Sequence, residues 1–165
     1  MIKNKLGILN INQLKEVEKE IIAIKIKLLD ERITFNMSDL NLDFLIKIHQ
    51  FLFCDIYYDD DIQTRYLDKE DLIKIEKIFK LLVDIGVSSL WDNGSLDLDM
   101  IQDLFIELWE MQIFCDGNTR TLLAFLKIYI GYYCLPIKIN DMEQISSCSK
   151  MFVLRKCQQK TVDNI

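Results

Sequence analysis

The chain has 165 residues, half of them apolar, and a formal net charge of −6. That length holds one domain with a real core and is too short for two ordinary ones. The apolar content excludes a disordered chain, and the acidic balance argues against non-specific nucleic-acid binding while leaving room for a local basic spot that takes a nucleotide.

No uninterrupted apolar run reaches membrane-spanning length, and the basic start Met1-Ile2-Lys3-Asn4-Lys5 precedes an apolar stretch broken at Asn10, Asn12 and Gln13. Neither a membrane span nor a signal peptide is expected. The five cysteines (Cys54, Cys115, Cys134, Cys148, Cys157) form no Cys-x-x-Cys pair. Their odd number and scattered spacing point to free thiols in a reducing cytoplasm rather than to disulfides or a structural zinc.

Apolar spacing predicts helix nearly throughout. Ile11, Leu14, Val17, Ile21, Ile24 and Leu28 recur at three- and four-residue steps in a first helix over about 10–33, with Asn10 as N-cap. A polar link over 34–40 leads to a second helix with Leu45, Ile48, His49, Leu52, Phe53 and Ile56 on one side. The stretch 57–65 has no helical period, mixes β-formers with Asp59, Asp60 and Asp61, and reads as a turn or short hairpin. A third helix over about 69–85 is expected to stop at Gly86 as a left-handed cap, followed by a turn at Trp91-Asp92-Asn93-Gly94. Asp97 opens a fourth helix that buries Leu98, Ile101, Leu104, Phe105 and Leu108. A fifth, over about 118–133, is apolar nearly all round and reads as the buried central helix, broken at Leu135-Pro136. A last helix spans about 140–156. The expectation is a single all-α domain over 1–165, without repeat or linker.

Between the fourth and fifth helices lies Gln112-Ile113-Phe114-Cys115-Asp116-Gly117-Asn118-Thr119-Arg120. It sets one carboxylate, a Gly-Asn turn and an arginine at the start of a helix whose first N–H groups have no internal partner, an arrangement suited to an anion. Arg120 can take a phosphate through two parallel bonds. Simpler roles stand beside these: Phe114 as a core anchor, Asp116 as an ordinary helix cap, and Asp59–Asp61 as a solvated turn. His49, the single histidine, lies on an apolar helix face and reads as a packing residue rather than a base.

The loop resembles the signature of the Fic (cell-filamentation) family, His-Pro-Phe-x-(Asp/Glu)-Gly-Asn-(Gly/Lys)-Arg. The likeness continues outward. Leu45 to Tyr57 resembles the family's helix ending in Leu-Phe-x-Asp-Ile-Tyr, and Asp59 to Arg65 falls at its flap hairpin. Arg120 to Leu126, with Gly131 to Pro136, resembles the helix after the loop and its exit turn. About residues 40–155 are covered. The resemblance implies a Fic-type bundle of six to eight helices with a short flap hairpin. It also implies transfer of a nucleotide fragment, most often AMP from ATP, to a target-protein hydroxyl. In that scheme position 112 is the general base, Asp116 holds Mg²⁺, and Gly117, Asn118, Thr119 and Arg120 cradle the phosphates. Asp61, Ile62, Gln63 and Thr64 lie in the flap that pairs with the target.

The departures matter most. Gln112 stands where the family has histidine, Ile113 where it has proline, Thr119 where it has glycine or lysine, and Leu123 where it has a second arginine. Asp61 falls about where the flap has glycine. A neutral amide cannot take a proton at pH 7, and losing a general base costs about 10²–10⁴ in rate. The family's inhibitory pattern, a glutamate followed by Gly or Asn, is absent from the chain. The expectation is a cytoplasmic protein that binds ATP or another phosphate compound, with Mg²⁺, and transfers weakly or not at all. The alternatives are an active transferase with altered chemistry and a non-catalytic interaction module. The expected partners are a target protein at the flap and a regulatory chain, with no nucleic acid and no membrane.

Overall fold

The computed structural model describes residues 3–32, 36, 40–91 and 98–133, all within one compact unit, Met1–Leu135. The expected turn at 92–94, the break at Pro136 and the last helix lie outside the described residues, in part within a second unit, Pro136–Ile165. The described helices are α1 (Ile11–Arg32), α2 (Leu42–Phe53), α3 (Lys69–Trp91), α4 (Leu98–Glu110) and α5 (Asn118–Tyr132). None is long and apolar enough to cross a membrane.

The Asn10 cap forms as the sequence predicts, and Asn41 supplies a second one. Asn10 Oδ1 accepts from Asn12 N–H and Gln13 N–H at 2.9 and 3.2 Å, and Asn41 Oδ1 accepts from Phe44 N–H at 3.0 Å. Helix α5 packs against α1, α2 and α4, as its all-round apolar character requires. Phe125 is fully buried among Phe105, Phe79 and Phe44, with ring centroids 5.2, 5.7 and 6.3 Å away. These offset and edge-on geometries are the favourable ones for aromatic pairs. The buried sets expected for α2 and, where described, for α4 are buried.

Helix α1 departs from its expected face. Its buried stripe is Leu14, Glu18, Ile22, Lys25, Ile26 and Leu29, whereas Ile11 and Ile24 are exposed. The stripe is rotated toward two charged residues because each meets a partner across the interface. Lys25 Nζ reaches Asp55 at 2.7 Å and the Phe51 carbonyl at 2.6 Å. Glu18 meets Arg120 and the Tyr57 hydroxyl. Buried charges persist only when paired in this way.

Two further expectations need correction. Helix α3 does not stop at Gly86 but runs on to Trp91. The glycine is there for packing, since a Cβ at this position would sit inside the Tyr133 ring. The flap segment forms no hairpin with itself. Asp59–Asp61 make a single 3₁₀ turn, and the chain beyond it joins the 112–120 loop through one antiparallel bridge, Thr64 to Phe114.

Gly86→Ala is therefore expected to lower stability by roughly 1–3 kcal/mol, the cost of overpacking. Gly131→Ala, where an added Cβ meets nothing, is expected to be neutral or stabilising by up to about 1 kcal/mol. Urea midpoints of the two variants check both.

Candidate functional site

The loop between α4 and α5 is built from its apolar residues upward. Ile113 and Phe114 are buried, and Phe114 stacks on His49 of α2 at 3.8 Å between ring centroids and 7° between planes. The Asn118 side chain closes the turn: its Oδ1 accepts from Phe114 N–H at 2.9 Å and its Nδ2 donates to the Phe114 carbonyl at 2.7 Å. With its amide spent on the backbone, Asn118 has its main-chain N–H left for an anion. Gly117 caps α5 in the left-handed region, φ 76°. A Cβ there would lie 2.5 Å from Phe53 Cζ and 3.1 Å from His49 Cε1, so both the dihedral and the close approach call for glycine.

Beneath the turn, His49 is held by a relay. Thr121 Oγ1 donates to the Gly117 carbonyl at 3.0 Å, so its contact with His49 Nδ1 at 2.8 Å is one in which the imidazole donates. The proton is therefore assigned to Nδ1 and the lone pair to Nε2. Burial holds the imidazole down at about 4, against the opposing pull of the Asp116 carboxylate. No hydrogen bond joins His49 to Gln112. An imidazole this weakly basic, wedged between Phe53 and Phe114, makes a poor proton acceptor at neutral pH. The packing role expected from the sequence fits this geometry.

The Gln112 amide is turned back on its own helix. Nε2 donates to the Trp109 carbonyl at 2.6 Å and Oε1 accepts from Asn118 Nδ2 at 3.3 Å. The residue sits at φ 46°, unusual for a side chain other than glycine. Arg65, which sequence reasoning did not single out, locks this corner. Its guanidinium donates to the carbonyls of Met111 and Gln112 at 2.9–3.0 Å and pairs with Asp71 at 2.9 Å. It thereby caps the end of α4. Thr119 accepts from Trp109 Nε1 at 2.9 Å, tying α4 to α5.

Arg120 is committed within the fold. It pairs with Glu18 of α1, which is buried and also accepts from the Tyr57 hydroxyl. The guanidinium lies over the Phe53 ring, 4.9 Å to the centroid. Its contact with Asp116 is looser, 3.6 Å to a carboxylate that is 90% exposed, and counts for little. Leu123, where a second arginine would stand, is buried.

An open cleft of about 530 Å³ adjoins the loop, lined by Lys3, His49, Phe53, Tyr57, Asp61, Ile62 and Asp116. Of the residues picked out from the sequence, Asp116, Asp61 and Ile62 line it together, while Gln112 and Arg120 do not. Ile62 is buried, Gln63 is exposed and Thr64 is half-buried beside Phe114. Among the described residues no group of three or more His, Cys, Asp or Glu gathers as a metal cage. Asp116 fits Mg²⁺ in the way that ion usually binds, through one or two carboxylates with phosphate and water completing the shell. Its Oδ1 is already fixed by the Gly117 N–H at 2.5 Å. Glu18, Arg65 and Lys3 escaped the sequence reading because Glu18 and Arg65 are marked only by partners distant in sequence and Lys3 only by its place on the cleft.

No protein-family model and no curated protein matches the chain. A solved structure does: the BepC protein, a VirB-translocated effector of Bartonella tribocorum, with bound AMPPNP. The TM-score is 0.55, with 18% identity, over 79% of this chain and 73% of that one. The fold is an all-α bundle of the Fic type.

His49 is the one histidine in the chain, and its folded-state value near 4 lies below the ordinary 6.5. The unfolded chain takes up this proton first, so stability is intact above about pH 6.5 and falls as pH drops toward 4, by up to about 3 kcal/mol. Urea unfolding between pH 7 and 5 is expected to show this limb, and His49→Gln is expected to flatten it.

Proposed function

We propose that the chain binds a magnesium–nucleotide in the cleft beside Asp116 and transfers its phosphoryl or nucleotidyl group weakly or not at all. One observation carries this reading. The loop sets Gly117 in a left-handed turn at the start of α5 with Asp116 on the cleft, while Gln112 holds its amide folded onto Trp109. Support for the ligand class comes from the shared fold, since the BepC structure was obtained with bound AMPPNP.

In this reading Mg²⁺ bound by Asp116 supplies charge neutralisation on the phosphates. The chain's own residues do the rest: the first N–H groups of α5 donate to the phosphate, and Phe53 and Tyr57 wall the cleft. Glu18 competes with any phosphate for Arg120. A second reading, a non-catalytic interaction module, draws on that same pairing, because an arginine satisfied inside the fold has less call for a ligand.

Incubation with labelled ATP, Mg²⁺ and lysate is expected to leave target and self proteins essentially unlabelled. Strong labelling that Gln112→Ala abolishes would sink this reading. Gln112→His is expected to raise labelling by at least tenfold, within the ordinary range for a general base. Glu18→Gln, which frees Arg120, is expected to tighten AMPPNP binding several-fold in calorimetry, in line with a charge-assisted hydrogen bond gained by the phosphate. Absence of AMPPNP binding at millimolar concentration in both the wild type and Glu18→Gln favours the interaction module.

A further inference from the structure

We propose that Lys3, carried by the segment ahead of α1, is the phosphate-binding cation of the cleft. The proposal rests on the nucleotide-binding reading above and assigns a residue that lies outside the loop signature.

The other positive charges near the loop are spent within the fold. Arg120 is paired with Glu18, and the place of a second arginine is filled by buried Leu123. Arg65 is consumed by the Met111 and Gln112 carbonyls and by Asp71. Lys25 is held by Asp55 and the Phe51 carbonyl. Lys5 donates to the Cys54 carbonyl at 2.8 Å and approaches Asp59 at 3.9 Å. Among the described residues, Lys3 is the only cation that lines the cleft, and it has no ion pair there.

The segment that carries it has a defined seat. Lys5 N–H donates to the Ile56 carbonyl at 2.8 Å, fastening the segment to the end of α2. Asn4 brackets Ile8, accepting from its N–H at 3.0 Å and donating to its carbonyl at 2.8 Å, around a turn in which Gly7 takes φ 67°. Lys3 is thus placed by contacts on both of the following residues. Asp116 and Asp61, which line the same cleft, carry the opposite charge. A bare anion would meet net repulsion there, whereas a metal–phosphate pair matches both charges: the divalent cation to Asp116, a phosphate oxygen to Lys3. The ligand class that this arrangement fits is a nucleoside polyphosphate bound with its metal.

Calorimetry with AMPPNP and Mg²⁺, and separately with inorganic triphosphate and Mg²⁺, tests the assignment on the full chain with Lys3→Ala, Lys3→Arg and Lys77→Ala. Lys77 is exposed on α3 and controls for net charge. Lys3→Ala is expected to weaken binding of both compounds about five- to tenfold, the scale of an exposed charge-assisted contact. Lys3→Arg is expected to stay near wild type and Lys77→Ala to be unchanged. Amine acetylation read by mass spectrometry is expected to show Lys3, and not Lys77, protected by AMPPNP. Binding by the wild type that Lys3→Ala weakens no more than Lys77→Ala overturns the role of Lys3 and leaves the nucleotide reading standing. Absence of binding by the wild type overturns both.

Discussion

The site depends on the stack of His49 under Phe114. That contact sets the depth at which the loop lies on α2, and the bond from Nδ1 to Thr121 carries the constraint on to the Gly117 carbonyl. Imidazole, hydroxyl and carbonyl form one chain in which every proton has a defined place. The cost of burying a histidine is offset by keeping it neutral and hydrogen-bonded. The left-handed glycine and the first turn of α5 follow from it, because Gly117 can approach Phe53 and His49 only if it has no side chain.

Around this stack, polar residues of distant segments close the structure. Glu18 and Lys25 of α1 both engage the C-terminal end of α2 and the segment after it, Lys25 through Phe51 and Asp55, Glu18 through Tyr57 and, on α5, Arg120. The helix that covers the site is therefore oriented by charge pairing as much as by apolar contact. Such pairs add specificity of orientation more reliably than they add stability.

The legible part of the fold was the part written in local periodicity. Helices α2, α4 and α5 bury the residues that three- and four-residue spacing selects, because their apolar stripes are wide and unambiguous. Helix α1 is turned by a fraction of a turn from the face that Ile11 and Ile24 suggest, because Arg120 and Asp55, far along the chain, select another. Gly86 looks like a stop signal locally, and only the Tyr133 ring from α5 makes it a packing glycine inside a helix. In the loop, Phe114, Asp116 and Gly117 stand out by residue type. The commitment of Arg120 to Glu18 and the locking of the corner by Arg65 do not, because both are long-range contacts without a sequence pattern.

The grip of Arg65 on the Met111 and Gln112 carbonyls has a consequence for how such a protein changes over time. The corner is held through main-chain oxygens, and the Trp109–Thr119 and Asn118–Phe114 bonds brace the remainder without the side chain at 112. Beyond the two bonds of the Gln112 amide to Trp109 and Asn118, the fold asks of position 112 chiefly that its backbone tolerate a left-handed turn, which histidine and asparagine do comparatively well. The identity of the side chain at 112 and the foldability of this corner are thus largely separable. A lineage with this architecture can vary that side chain while its stability hardly registers the change.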